Sequence, residues 1–97
     1  MADPFQIRYA PKAADDIRGF RAFDRKRMLD AVEQHLRFAP AHCSTSRIKR
    51  MIQPFWSQYR LRTGDFRVYY DVDETDRVVS VLRVLFKGSG QTPEQSP

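Results

Sequence analysis

A chain of 97 residues has room for one small domain with a modest core, which argues against a deep active-site cavity and favours a shallow groove on a sheet. Seventeen Lys and Arg, most of them Arg, against twelve Asp and Glu give a net charge of +5, so an acidic partner is indicated: RNA, DNA or an acidic protein segment. The lone Cys43 excludes an intramolecular disulfide and fits a reducing cytoplasm, and no metal or cofactor site is indicated. We find no signal-peptide pattern at the N-terminus and no apolar stretch long enough to span a membrane.

The first forty residues predict one strand followed by two helices. Apolar residues alternate over 5–9, which is typical of a short strand. Pro11 suits the first turn of a helix, and Gly19 is placed to end it. A second helix is expected from Asp24, acting as the N-cap, to about Phe38.

The second half of the chain predicts strands in sequence. Gly64 and Asp65 form a tight turn between two of them, and residues 73–76 form an acidic loop. The strands are expected at residues 47–53 (as a strand or an irregular edge), 56–63, 66–72 and 77–86, the last being central in the sheet. The expected fold is α+β, an antiparallel meander sheet with two N-terminal helices packed on one face, in a single domain over residues 1–87. Residues 88–97 are predicted to be a disordered tail.

Strand alternation sorts the basic residues of the predicted hairpin onto one face of the sheet. Arg60 and Arg62 share a face of one strand, and Arg67 and Tyr69 share the matching face of the next. Both pairs point away from the helices, so the basic groups can converge on the open side. We expect Arg47, Lys49 and Lys87 to extend this positive surface. The alternative is that the arginines form surface salt bridges with nearby carboxylates, those of Asp65, Asp71, Asp73 and Glu74.

The run YRLRTGDFRVYY over residues 59–70, then an acidic turn and VVSVLRV over 78–84, resembles the RelE/ParE superfamily of toxins. These are the toxin components of type II toxin–antitoxin systems. The resemblance covers about residues 5 to 87 and implies a RelE-like fold and a cognate antitoxin as partner. RelE-type members cut mRNA in the ribosomal A site, whereas ParE-type members bind and poison DNA gyrase.

The resemblance also implies site residues. In the RNA-cleaving branch the catalytic groups are basic residues at the positions of Arg60, Arg62, Arg67 and Lys87, together with a tyrosine beyond the last strand. The sequence has no tyrosine after Lys87. Tyr69 is the candidate to replace it, as an acid or as a stacking surface for a base.

Three functions follow from the resemblance. The first is a ribosome-dependent mRNA endoribonuclease, in which arginines stabilise the phosphorane-like transition state but are poor bases, so Lys49 or Lys87 would have to accept the proton. The second is a non-enzymatic inhibitor of gyrase, which the absent tyrosine favours. The third is a degenerate member that binds its antitoxin without toxicity. Trp56 is either a nucleobase-stacking residue or an anchor of the core.

Overall fold

The computed structural model describes residues 3–43 and 47–86, and these form two helices and a five-stranded sheet. The elements in chain order are β1 (Gln6–Tyr9), α1 (Pro11–Arg18), α2 (Ala22–Leu36), β2 (Ile48–Arg50), β3 (Tyr59–Thr63), β4 (Phe66–Asp73) and β5 (Val78–Phe86). The strand order is β1-β5-β4-β3-β2, so β5 is an interior strand as predicted. Lys87 and the predicted disordered tail over residues 88–97 lie outside the described residues.

The expected α+β fold, with helices on one face of the sheet, is confirmed, and β2 to β5 form the predicted antiparallel meander. The sheet is mixed rather than wholly antiparallel, because β1 pairs parallel to β5 with Ile7 opposite Val79. This edge is held by Arg77, whose carbonyl accepts the Gln6 N–H at 2.8 Å. The Arg77 guanidinium lies over the Phe5 ring at 4.2 Å and donates to the Asp3 carbonyl, so it fastens the start of the chain to the β4–β5 loop.

The second helix begins two residues earlier than the sequence suggested. Its N-cap is Arg21, which makes no side-chain capping bond, so the expectation that Asp24 is the N-cap is wrong. Asp24 lies instead in the first turn, where the helix dipole favours a carboxylate. Arg25 links the two helices: its guanidinium donates to the Ile17 carbonyl at 3.2 Å and the Phe20 carbonyl at 2.9 Å, which are exposed by the end of α1. Within residues 3–43 and 47–86, no helix combines the length and the apolar character needed to cross a membrane.

The hydrophobic core lies between the helices and one face of the sheet. Burial of apolar side chains on alternate strand positions is what holds the two layers together, at roughly 25 cal/mol for each Å² removed from water. The helices contribute Ala13 and Ile17 from α1 and Met28, Val32 and Leu36 from α2. The sheet contributes Leu61, Val68, Tyr70, Val79, Val81 and Val84. The opposite face of the sheet is left for the basic residues.

The β3–β4 hairpin closes as predicted, with Thr63 opposite Phe66 and a two-residue turn between them. Gly64 occupies the first central position with φ of 55°, the left-handed region that glycine adopts without strain. The strands β2 and β3 are shorter than predicted. β2 covers only Ile48–Arg50, and residues 51–58, which include Pro54, leave the sheet and fold as a loop before β3.

Candidate anion-binding face

The open face of the sheet carries side chains in two rows that run across the strands. Directly opposite residues on neighbouring strands project to the same side. The first row is Lys49 on β2, Arg60 on β3, Tyr69 on β4 and Arg83 on β5. The second row is Arg62 on β3, Arg67 on β4 and Leu85 on β5. Neighbouring strands lie about 4.8 Å apart, so these side chains form one continuous surface.

The centre of this surface is made of like charges. Arg62 and Arg67 are direct cross-strand partners, and Arg60 is the partner of Lys49 on its other side. Like charges placed directly opposite each other destabilise a sheet. Because this arrangement of like charges is unfavourable by itself, we interpret it as a surface that binds an anionic ligand. We call Lys49, Arg60, Arg62 and Arg67 the basic face.

The alternative interpretation, that these arginines form surface salt bridges, is wrong for Arg60, Arg62 and Arg67. Among the described residues none of the three has a carboxylate within ion-pair distance, and the ion pairs that form lie elsewhere. Asp71 accepts the Gln58 backbone N–H at 2.7 Å instead, and Asp73 accepts that of Asp76 at 3.0 Å. The Nε atom of Arg60 is buried without a hydrogen-bond partner in the described part of the chain, an arrangement that costs free energy unless a ligand or water compensates it.

A cleft of about 210 Å³ opens beside the hairpin turn, lined by Arg47, Arg62, Thr63 and Gly64. The Arg47 carbonyl accepts the Arg62 N–H at 2.7 Å, which holds the segment before β2 against β3. Nη1 of Arg47 lies 3.2 Å from Nε2 of His35 on α2. Burial, and then the charge of Arg47, lower the pKa of His35 below its ordinary 6.5, so the imidazole is held neutral beside the cleft.

Tyr69 lies on the predicted face but beneath other rings. Its side chain is 1% exposed, because Trp56 packs at 4.7 Å and Phe55 at 6.1 Å between ring centroids. The two covering rings stack on each other at 4.9 Å and 25° and are only half-buried. Phe55 was not identified from the sequence as a functional residue. Its signal in the sequence was the pair of aromatic residues after Pro54, in a segment where the next strand was expected to begin.

Arg83 is the last residue of the first row, but its guanidinium already forms an ion pair with Asp16. Its Nε and Nη2 atoms donate to the two carboxylate oxygens of Asp16 on α1 at 2.7 and 2.9 Å. The same carboxylate accepts the Val84 N–H at 3.0 Å, beyond the point where β1 stops pairing. The hydrogen bond to Asp16 raises the pKa of Arg83, and the pair is mostly shielded from water, with 20% and 14% of the two side chains exposed. Arg83 is therefore a structural cation and not part of the basic face.

The geometry of the basic face suits binding of a phosphate or a carboxylate. Arginine forms bidentate bonds to such groups and stays charged at physiological pH. The structure places Lys49, Arg60, Arg62 and Arg67 on the open face and Arg47 in the adjoining cleft beside Arg62, which accounts for five of the seven residues predicted from the sequence, with Tyr69 beneath the adjoining rings. Lys87, the seventh, lies outside the described residues. The catalytic and nucleic-acid-binding roles of these residues remain predictions.

Comparison with known proteins gives one family and a set of folds. A sequence model described as the ParE toxin of the type II toxin–antitoxin system parDE matches residues 7–87. No curated protein matches the sequence. Among solved structures, the toxin–antitoxin complex RelBE2 from Mycobacterium tuberculosis is similar, with a TM-score of 0.69 and 17% identity, covering 86% of this chain and 98% of the other.

Two further structures share the fold. The archaeal RelE–RelB complex from Pyrococcus horikoshii has a TM-score of 0.68 and 19% identity, with 89% of this chain and 98% of the other covered. The isolated RelE toxin of E. coli has a TM-score of 0.63 and 13% identity, with coverage of 90% and 88%. At these identities the similarity establishes a RelE-like fold. The sequence match over residues 7–87 establishes that the chain belongs to the ParE toxin family of type II toxin–antitoxin systems, within the RelE/ParE superfamily.

Proposed function

We propose that this toxin is a ribosome-dependent mRNA endoribonuclease whose basic face holds the scissile phosphate. The observation that carries the proposal is the convergence of Arg60, Arg62 and Arg67 on the open side of the sheet with no carboxylate partner among the described residues. These three guanidinium groups, on neighbouring strand positions, provide the positive charge that a pentavalent phosphorus transition state needs. Such a protein would act in the cytoplasm, where its substrate lies.

The reaction would be attack of a ribose 2′-hydroxyl on the adjacent phosphorus. The new P–O bond forms as the bond to the 5′ oxygen of the next nucleotide breaks, which leaves a 2′,3′-cyclic phosphate and a 5′-hydroxyl. The 2′-hydroxyl proton has to be accepted and the departing 5′ oxygen has to be protonated. Arginine cannot accept the first proton, since its pKa is above about 12. Lys49, directly opposite Arg60, is the amine on this face among the described residues, and Lys87, the other lysine to which the resemblance gives a role, lies outside them.

The proposal includes a cognate antitoxin as partner. Similar folds have been solved as complexes of toxin with antitoxin. An antitoxin that neutralises this protein would place acidic side chains against the basic face and so block access of RNA. The charge of Arg60, Arg62 and Arg67, none of which forms an ion pair with another described residue, supports this mode of inhibition.

The test is to express the toxin without its antitoxin and to map mRNA 5′ ends. New ends within codons of translated messages are expected for the wild type and are expected to be lost in Arg62→Gln and Arg67→Gln. Arg21→Gln is the matched control, because Arg21 is exposed on the helix layer and away from the basic face. Growth arrest with unchanged transcripts would overturn the proposal.

A second candidate function is inhibition of DNA gyrase without catalysis. It is favoured by the match to the ParE toxin family and by a basic face in which arginines, which are poor proton acceptors, predominate. A supercoiling assay with purified gyrase separates the two functions. Full gyrase activity at saturating toxin excludes the second one, and the absence of any growth inhibition would indicate a member that only binds its antitoxin.

A further inference from the structure

We infer that Phe55 and Trp56 form a stacking surface for a nucleobase of the single-stranded RNA bound by the basic face. The inference rests on the proposed function, since it takes RNA as the ligand. It adds a second recognition element, which acts on a base and not on a phosphate. Neither ring is among the basic positions carried over from the family.

The two rings lie beside the cations of the basic face. They belong to the loop between β2 and β3 and pack on Tyr69, which is the direct cross-strand partner of Arg60. Tyr69 also lies two residues from Arg67 on the same face of β4. The cluster formed by Phe55, Trp56 and Tyr69 therefore lies next to the arginines, with Tyr69 one strand away from Arg60.

The aromatic cluster of Phe55, Trp56 and Tyr69 lies outside the hydrophobic core. The core occupies the helix-covered face, and neither Tyr69 nor Phe55 nor Trp56 belongs to it. Tyr69 is fully covered, whereas Phe55 and Trp56 are only half-buried. Tyr69 therefore supports Trp56 from below, and the two upper rings are what a ligand meets.

Hydrogen bonds within the protein hold the β2–β3 loop in place without a ligand. The Gln53 side-chain amide donates to the carbonyls of Met51 at 3.3 Å and Ser57 at 3.2 Å, and its oxygen accepts the Phe55 N–H at 3.3 Å. Gln58 then joins the loop to β4, because its N–H donates to Asp71 at 2.7 Å and its side-chain oxygen accepts the Val72 N–H at 2.9 Å. A surface fixed in this way loses little conformational entropy on binding.

Aromatic rings beside a basic groove are the combination that binds single-stranded nucleic acid. Unpaired bases stack on the rings while arginine neutralises the backbone, and this stacking tolerates any base. A base in a duplex is not available for such a contact. The ligand is therefore an unpaired segment of RNA with one base on Phe55 and Trp56 and a neighbouring phosphate on the arginines.

Trp56 makes the inference directly measurable, because it is the only tryptophan in the chain. The probes are a short oligouridylate and an abasic ribose–phosphate strand of the same length and charge, titrated into the full-length protein at fixed salt. Affinity is measured by anisotropy of the labelled strand, and stacking by the change in Trp56 fluorescence. Oligouridylate is expected to quench Trp56 and to bind roughly 5- to 150-fold more tightly than the abasic strand.

Variants separate stacking from charge and from folding. Trp56→Phe is expected to keep most of the advantage of the base-containing strand, and Trp56→Leu, which still covers Tyr69, to lose most of it. Arg62→Gln is expected to weaken both strands alike. Equal affinity of the wild type for the two strands, with no change in fluorescence, overturns the stacking surface and leaves the basic face as an RNA-binding surface. If neither strand binds, the stacking surface and the RNA-binding face fail together.

Discussion

Arg62 and Arg67 face each other across the β3–β4 hairpin, and neither forms an ion pair with a carboxylate of the described residues. The pairing predicts a conflict between stability and function. Replacing either arginine by glutamine removes a like-charge contact, so the free energy of unfolding should stay unchanged or rise by about 0.2–1 kcal/mol while toxicity falls.

Urea unfolding and a growth assay on the same variants test this conflict. Arg83→Gln is the matched control on the same face, because it loses a carboxylate partner and should be destabilised. A clear loss of stability in Arg62→Gln, comparable to that of Arg83→Gln, would show that Arg62 is a structural residue.

Asp16 joins α1 to the edge of β5 through Arg83 and the Val84 N–H. Asp16→Ala should lower the free energy of unfolding by about 1.5–3 kcal/mol, because it leaves a half-buried guanidinium and a backbone donor without an acceptor. Asp16→Asn should lose less, since an amide oxygen still accepts the Val84 N–H. A double-mutant cycle with Arg83→Gln measures the coupling, and a coupling energy near zero would contradict the described contact.

Tyr70 is fully buried, and its hydroxyl donates to the Pro40 carbonyl at 2.5 Å. Burial raises the pKa of Tyr70, so the phenol stays protonated as the donor at physiological pH. Tyr70→Phe should cost about 1–2 kcal/mol by leaving the Pro40 carbonyl unpaired. Tyr59→Phe is the comparison and should cost less, because its partner Arg50 is exposed and water can replace the contact. Equal losses in the two variants, measured by chemical unfolding, would argue against the buried bond.

The turn requires glycine at position 64 because of its backbone conformation, and not because a larger side chain would clash with neighbouring atoms. A Cβ there would meet only Nη2 of Arg27, at 3.8 Å, but φ is 55°. Gly64→Ala should therefore destabilise the protein by about 1–2 kcal/mol, and Gly64→Asn by less, because asparagine tolerates the left-handed region. Thermal unfolding distinguishes the two variants. If alanine and asparagine cost the same, conformational strain is not the reason for glycine.

The lowered pKa of His35 predicts that the stability of the folded protein depends on pH. Its pKa in the folded protein is lowered, so as the pH falls through the ordinary value of 6.5 the unfolded chain takes up the proton first, and stability is lost. Protonation of Nε2 also removes the acceptor for Arg47. Between about pH 7.5 and about pH 5.5, His35→Gln should lose less stability than the wild type. Identical losses in the wild type and His35→Gln, measured as urea midpoints, would show that His35 does not cause the pH dependence.

The parts of the fold that the sequence predicted are those governed by local pattern. Alternation over residues 59–70 assigns Arg60, Arg62 and Arg67 to one face and Leu61, Val68 and Tyr70 to the other, and the structure agrees because Gly64 sets the register of a two-residue turn.

The parts that were missed depend on distant contacts. Alternation places Tyr69 on the open face but contains no information about Trp56 and Phe55 covering it, since they arrive from a loop that was expected to be strand. The bond between Asp16 and Arg83 joins residues 67 positions apart, and the parallel pairing of β1 with β5 joins the two ends of the described chain. No local spacing signals either contact.

The place of β5 between β1 and β4 has a consequence for the order of synthesis. A nascent chain that ends before Val78 has made both helices and the basic hairpin, yet β1 has no neighbour and β4 has a bare edge. The layer on which α1 packs is completed only when Phe86 has left the exit tunnel. The sheet therefore closes only after β5 has been synthesised, and an incomplete copy that lacks β5 leaves it unfinished.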